Sequence, residues 1–406
     1  MTPPTSQQAS QLIDAVTDGE TSTVTKLLKA GADPDTRTED GEPVLSVACS
    51  EGDLATVSAL LDAGAEVDAL DGLDEPPLAS AAAEGHVDLI ARLVAAGADV
   101  HLRFGEDEHT HLTRALDVNL VMEPSLQVIE ALLAAGVDPN TPSGNGWSPL
   151  HYAASFEEPG LVDIIDALVA RGADPKRPSP RGIYAIDLAE RHAPDEVKAR
   201  LLAHGSPTLD EAALLRVQAF WARIRQWLTK HAPTYEARIA RAASASPQDI
   251  EALEARLGAS LPPDFRAHLL LFGKGGATSA DRAWFYEYTG LSIAEIIDRW
   301  EGLEELRQKG TFADATPHEL DRDDDKVKWT WWHRGWIPFA EDGGGNLFCV
   351  DVDPEPEGSR GQIICWEMHS GPVGPRADDF DTFLDEYHEE MMQGRLEYTG
   401  ETLCRK

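Results

Sequence analysis

The chain has 406 residues, 42% of them hydrophobic, and carries 35 basic against 71 acidic side chains, a formal charge of −36. That length exceeds what one compact core accommodates, so two domains are expected. A charge this negative has the wrong sign for gripping nucleic-acid phosphates or an anionic membrane, and it steers basic partners toward the surface. The acidity is spread along the chain: residues 1–206 hold 13 basic and 35 acidic residues, and residues 207–406 hold 22 and 36. Cys49, Cys349, Cys365 and Cys404 show no CxxC spacing, so neither a zinc site nor a disulfide framework is indicated. The first residues lack the pattern of a signal peptide, and no apolar run approaches the about 20 residues of a spanning helix. A reducing, cytoplasmic location is the expectation.

Taken in chain order, the first half is punctuated by Gly31, Gly64, Gly97, Gly136, Gly172 and Gly205, at steps of 33, 33, 39, 36 and 33 residues. Each follows an apolar helix end, and the first five continue as Gly-Ala/Val-Asp/Glu. A period near 33 is the signature of a helix-pair solenoid, whose extended surface suits binding.

The fifth unit is the clearest: Gly146-Trp147-Ser148-Pro149-Leu150-His151-Tyr152-Ala153-Ala154, then Leu161 to Val169, then Gly172-Ala173-Asp174. Ser148 is placed to cap a helix, and Pro149 sits at the first helical position, where its missing N–H costs nothing. Gly172 stops the second helix in a left-handed conformation. The other units repeat this in degraded form. The fourth is poorest: Leu112-Thr113-Arg114-Ala115 replaces the proline motif, and Asn119 to Ser125 is an insertion. This register resembles the ankyrin repeat over about residues 8–206. The resemblance implies binding through hairpin tips, here Glu39-Asp40, Asp71, Arg103-Phe104, Gly144-Asn145 and Pro180-Arg181. It also implies that His151 braces its turn. Trp147 either anchors a partner or packs on its neighbouring repeat.

From about Pro207 the period stops. Leu209 to Lys230 reads as one amphipathic helix, either capping the array or docking on a second domain, so 207–244 is expected to link two domains. Ser246 with Asp249 is a capping arrangement, and Gly258 a helix stop. Another helix starts at Leu261-Pro262-Pro263-Asp264-Phe265, and a third runs from Ile293 to Leu306. Strands follow at Trp336 to Ala340, Leu347 to Pro354 and Gly361 to Trp366, with a tight turn at Gly343-Gly344-Gly345-Asn346. A last helix spans Phe380 to Arg395. This order resembles the SUKH superfamily (the Smi/Knr type) over about residues 245–395. The resemblance implies an α+β fold, no enzymatic activity, and protein recognition: as immunity proteins in bacteria, as cell-wall synthesis regulators in fungi.

Motifs for chemistry are weak. Gly273-Lys274-Gly275-Gly276 lacks the spacing of a phosphate loop. Asp321, Asp323 and Asp325 begin like a calcium loop, but Lys326 replaces the glycine and Trp332 the bidentate glutamate. His109 and His111 near Glu106, Asp107 and Glu108 lack a third ligand at fixed spacing. No catalytic, cofactor-binding or metal residue is therefore assigned. Trp329, Trp331, Trp332 and Trp336 are core on one strand face and candidate anchors on the other.

The expectation is thus an α-helical ankyrin solenoid of about six repeats over 1–206, a linking helix over 207–244, and an α+β SUKH-like domain over 245–406 whose antiparallel or mixed sheet is flanked by helices. The protein is expected to bind a protein partner, a basic toxin domain, rather than nucleic acid or membrane. The candidate contacts are Arg103, Phe104, Asn145 and Trp147 on the array, with Trp332, Glu341, Asp342, Asp351, Asp353, Glu355 and Glu357 on the second domain. Two functions follow from the resemblances: an immunity protein that occludes a toxin, and a regulatory scaffold that bridges two partners.

Overall fold

The structure is a computed structural model that describes residues 6–117, 124–156, 161–276, 284–313, 325–399 and 403–406. The chain divides into two compact units, Met1–Thr208 and Leu209–Lys406.

The first unit is built from six helix pairs: α1 (Ser6–Thr17) with α2 (Thr21–Lys29), α3 (Val44–Ser50) with α4 (Leu54–Asp62), α5 (Pro77–Ala83) with α6 (Val87–Ala95), α7 (His111–Arg114) with α8 (Leu126–Ala135), α9 (Pro149–Ala153) with α10 (Leu161–Ala170), and α11 (Ala185–His192) with α12 (Asp195–Ala203). The six periodic glycines all close the second helix of a pair with φ between +85° and +99°. Behind each, the next residue donates to the carbonyl five positions back (Ala32 to Leu27, Ala65 to Leu60, Ala98 to Leu93, Val137 to Leu132, Ala173 to Leu168, Ser206 to Leu201), at 3.0 to 3.2 Å. This is the Schellman arrangement, which satisfies carbonyls left over at a helix end. Around Gly31, Gly64, Gly97, Gly136 and Gly172 a Cβ would meet nothing within 4 Å. Backbone conformation, not lack of room, therefore demands glycine there.

Four residues past the glycine sits a clamp to the next repeat. Asp35 Oδ1 accepts from Glu66 N at 2.6 Å, Asp68 Oδ1 from Asp99 N at 3.1 Å, and Asn140 Oδ1 from Asp174 N at 2.8 Å. The third-repeat counterpart is His101, and among the described residues no such bond reaches Asp138; the fifth-repeat counterpart is Lys176, and the donor position facing it is Pro207, which has no N–H. The core is a continuous seam of residues such as Leu45, Val57, Leu60, Leu78, Leu93, Leu132, Leu150 and Leu168, each at most 2% exposed.

Repeat four differs as its sequence does. Its first helix is a single turn, capped by Thr110, whose Oγ1 accepts from Thr113 N while Thr113 Oγ1 accepts from Thr110 N. Most of the expected insertion lies outside the described residues; its last member, Ser125, is the N-cap of α8.

The second unit begins earlier than the sequence implied. Helix α13 (Leu209–His231) buries Val217, Phe220, Trp221, Ile224 and Leu228 in the same core as the sheet and the later helices. It is a structural element of that unit and not a linker, because this apolar stripe is too wide to leave in water. After α14 (Pro233–Ile239) come α15 (Pro247–Leu257), capped by Ser246 and stopped by Gly258 at φ +71°, and α16 (Pro263–Phe272). Strands β1 (Trp284–Phe285) and β2 (Tyr288–Gly290), helix α17 (Ile293–Gln308), and strands β3 (Trp336–Glu341), β4 (Leu347–Asp351), β5 (Gln362–Glu367) and β6 (Gly371–Ala377) follow. The six strands form one sheet in sequence order, and every neighbouring pair is antiparallel. Helix α18 (Phe380–Met392) places Phe380, Phe383 and Tyr387 among Phe285, Phe339 and Phe348. A separate two-stranded sheet, β7 (Leu396–Tyr398) and β8 (Leu403–Arg405), closes the unit.

Candidate functional site

Between successive helix pairs the chain turns out in a hairpin, giving five fingers. Four share one backbone pattern. The first residue donates to the carbonyl four on and accepts from the amide three on: Thr38 with Glu42 and Gly41, Asp71 with Glu75 and Asp74, Ser143 with Trp147 and Gly146, Ser179 with Ile183 and Gly182. The amide three on belongs to a residue with positive φ, which is glycine except in the second finger, where Asp74 holds φ +58°. The third finger is one residue longer, closed by a reciprocal Phe104–His109 bridge and turned at Gly105 (φ +69°) and Glu108 (φ +47°). The residue just before Gly41, Asp74, Glu108, Gly146 and Gly182 projects at the tip: Asp40, Leu73, Asp107, Asn145 and Arg181, all exposed. Neighbouring fingers are tied together. Arg37 Nη1 donates to Leu70 O at 2.8 Å, Gly105 N to Asp74 O at 3.2 Å, and Gly144 N to Asp107 O at 2.6 Å.

This geometry moves two of the expected tips. Asp71 lies at the base of its turn, where its carboxylate accepts from Leu73 N (2.8 Å) and Glu75 N (2.9 Å). Phe104 is 4% exposed, paired with His109 and packed 5.0 Å from the His111 ring, so it is a core residue and not a contact. Arg103 is exposed but occupied, donating to Pro142 O and to Glu108. Asn145 is exposed at its tip; its Oδ1 accepts from Trp147 N and its Nδ2 donates to the Tyr152 hydroxyl. Trp147 is half-buried, with its ring 5.4 Å from Tyr152 and 6.5 Å from His151. His151 Nδ1 accepts from Ser148 N at 3.2 Å, which leaves Nε2 protonated to donate to Ile183 O in the next repeat at 2.8 Å. Burial holds that imidazole below its ordinary pKa, in keeping with a neutral bracing role.

On the second unit the acidic strip separates into surface and interior. Trp332 is 1% exposed and packs edge-on against Trp336 and Trp366 at 5.9 and 5.8 Å, so it is core. Asp351 is fully buried, accepting from Gln362 Nε2 and Asp353 N; burial raises its pKa. Neither reaches the surface, so neither is a contact. The causes differ: all five residues of β4 are buried, so at Asp351 the sheet is covered on both faces and alternation no longer marks an outer one, whereas Trp329, Trp331 and Trp332 lie in an irregular segment before β3, where the expected strand alternation does not apply. Glu341 is half-buried and bound to Arg299 at 2.7 Å, while Asp342 pins the Gly343–Asn346 turn by accepting from Gly344 N, Asn346 N and Asn346 Nδ2. Asp353 is exposed beside Lys328 (3.3 Å) and His333 (3.6 Å), Glu357 is exposed, and Glu355 is half-buried.

The unit also carries a buried ion cluster. Arg216 from α13 binds Asp264 at the start of α16 through Nη2 and lies 3.2 Å by Nε from Asp381 at the start of α18. Burial pushes the Asp381 carboxyl up to about 8, against the pull of Arg216 and reinforced by Asp264. Near neutrality Asp381 is therefore largely protonated, and the Arg216 guanidinium has its ion pair with Asp264. Among the described residues, no group of three or more potential metal ligands converges, and no helix is long and apolar enough to cross a membrane.

The two units have counterparts among known proteins. Residues 12–104 and 118–169 match models of ankyrin repeats, and residues 244–386 match the model of the SMI1/KNR4 family (SUKH-1). The chain is an ankyrin-repeat array followed by an SMI1/KNR4 domain. It is 28% identical over 158 residues to a Schizosaccharomyces pombe protein named cell wall biosynthesis/cell cycle regulator smi1, covering 36% of this chain and 31% of that one. It is 22% identical over 240 residues to a Neurospora crassa glucan synthesis regulatory protein, covering 52% and 44%. The chain therefore spans less than half the length of these relatives. Among solved structures, an Acinetobacter baumannii ankyrin repeat domain aligns at 25% identity and TM-score 0.43, over 48% of this chain and 98% of that one. A chain of the complex between a Bdellovibrio bacteriovorus predatory endopeptidase and an immunity protein aligns at 25% identity and TM-score 0.41, over 48% and 97%.

Proposed function

We propose that the protein acts by binding another protein, and that it is an immunity protein that neutralises a toxin by stoichiometric occlusion. The observation that carries this is the row of fingers. Hydrogen bonds hold the first four fingers in register, and the first three present an acidic rim that complements a basic surface. A pre-ordered rim loses little entropy on association, and its charge speeds encounter. The SMI1/KNR4 domain supports the same reading through the immunity role that its resemblance implies for bacterial members. Neutralisation would cover the toxin's active site, with a basic nuclease as the best electrostatic match. The test is co-expression with the toxin-like product of an adjacent gene. Protection of the cells together with a stable one-to-one complex is the expected result. A toxin that remains active and unbound overturns the reading.

A second reading is favoured by the curated relatives, whose names are those of cell-wall and glucan-synthesis regulators. Here the array holds one partner and the SMI1/KNR4 domain another, both in the cytoplasm. Recovery of two distinct partners, each lost on deleting one unit, distinguishes this scaffold from an inhibitor.

A further inference from the structure

Leu73 is the most exposed large apolar side chain among the described residues, at 74%, and Leu70 on the same finger is 37% exposed. Neither is loose. Asp71 Oδ1 accepts from the amide of Leu73 and from that of Glu75, the carbonyl of Leu70 is held by Arg37, and the carbonyl of Asp74 by Gly105. The second finger is therefore clamped from both sides, and its leucine is fixed pointing into solvent. The corresponding tip residues are Asp40, Asp107, Asn145 and Arg181, so Leu73 is the one apolar member of the row.

Its surroundings are charged in one sense. Residues 37–42, 70–75 and 103–108 bring together nine carboxylates and two guanidiniums. Arg103 is paired with Glu108, and Glu75 is taken by Arg114 at 2.6 Å. The fingers are close enough for their charges to interact: Glu42 is raised by partial burial and then by Asp71 and Asp40. The far end of the array is different, since seven of the 13 basic residues of 1–206 lie between Arg171 and Arg200.

We propose that the first three fingers form the docking edge of the array, and that its occupant is a basic protein segment with an apolar residue or recess that receives Leu73, flanked by lysine or arginine opposite Asp40 and Asp107. An apolar tip in an acidic frame selects for both properties at once: the leucine contributes by leaving water, and the carboxylates reject acidic or neutral competitors. This deepens the protein-binding reading above and rests on it.

The test uses the full chain and three fluorescently labelled synthetic peptides: one basic with a central leucine-phenylalanine pair, one equally basic with serines in that place, and one with the same apolar pair but glutamates for the basic residues. Anisotropy titration is expected to rank them in that order. Leu73→Ser is expected to weaken the first peptide by about tenfold and leave the second unchanged. Asp40→Asn with Asp74→Asn should weaken both, whereas Glu355→Gln with Glu357→Gln, which removes the same charge elsewhere, should not. Asparagine suits the left-handed backbone at position 74, and unchanged thermal melting verifies each variant's fold. Equal binding of wild type and Leu73→Ser, or equal losses from the two charge-neutralising pairs, overturns the proposal. So does absence of binding to the basic apolar peptide; protection in the co-expression assay would then still stand, separating this failure from failure of the proposed function.

Discussion

The imidazole of His151 donates across a repeat boundary to the carbonyl of Ile183, at 2.8 Å, while its other nitrogen accepts from Ser148 N. One neutral ring, 1% exposed, thus fastens the cap of its own helix to the base of the next finger. Replacing it by phenylalanine leaves the buried Ser148 amide without its acceptor and the Ile183 carbonyl with only Ser179 N. His151→Phe is expected to lower unfolding stability by about 2 kcal/mol in urea titration, and His151→Gln, which keeps a donor and an acceptor, by less.

Two finger glycines separate strain from crowding. Gly41 (φ +85°) has open space around its Cβ position, whereas a Cβ on Gly146 (φ +84°) would fall 2.2 Å from Pro180 Cδ. Gly41→Ala is expected to cost about 1 kcal/mol from backbone conformation alone. Gly146→Ala should cost about 1–3 kcal/mol more, and Pro180→Ala should recover most of the excess. Calorimetric melting of the single and double variants measures all three quantities.

The ion cluster under α13 predicts an asymmetry between two aspartates that touch the same arginine. Asp381 is largely protonated near neutrality, so Asp381→Asn resembles the state already present and should change stability by less than about 1 kcal/mol at pH 7. Asp264→Asn removes the counter-ion of Arg216 and should cost about 3–5 kcal/mol. The sign of the pH dependence follows. A carboxyl raised in the folded state leaves stability intact below its unfolded pKa near 3.8 and lowers it as pH climbs toward 8. Asp381→Asn should therefore flatten the stability profile between those limits.

Two histidines act in the opposite direction. Burial holds His111 down to about 4 and His268 down to about 3, from an ordinary 6.5. Both are neutral when folded, and the unfolded chain takes up protons first as pH drops. Their contribution is complete above pH 6.5 and declines as pH falls toward 4. For His111 this amounts to about 3 kcal/mol by pH 4. Thermal melting across pH 7 to 4 should show this decline, reduced in His111→Phe.

The array was legible because its defining residue is chemical punctuation. Every glycine in the 33-residue register closes a Schellman turn, and no other residue type adopts that backbone at low cost. Ser246 with Asp249 and Gly258 marked α15 for the same reason. The tips were less legible where the glycine signal fails. In the second finger an aspartate takes the left-handed position, and in the third a glutamate does so in addition to Gly105, so the turns there fall two or more residues beyond the expected Asp71 and Arg103-Phe104. The role of Leu73 is not legible in the sequence, because an apolar residue in a polar loop carries no periodicity. The sequence leaves the partner of helix α13 open, because its stripe of Phe220, Trp221 and Ile224 shows that it is buried but not against what.

The missing clamp at His101 has a consequence for how the array comes apart. In a one-dimensional stack each repeat is held by its own stability and by coupling to its neighbours, so cooperativity fails first at the thinnest joint. Asp35, Asp68 and Asn140 thicken three joints and the His151–Ile183 bond ties the fifth repeat to the sixth, whereas the third and fourth repeats meet without that clamp and beside a one-turn helix. Under load or in mild denaturant the solenoid should part there into two three-repeat blocks. The first three fingers, Leu73 included, would then stay together on one block.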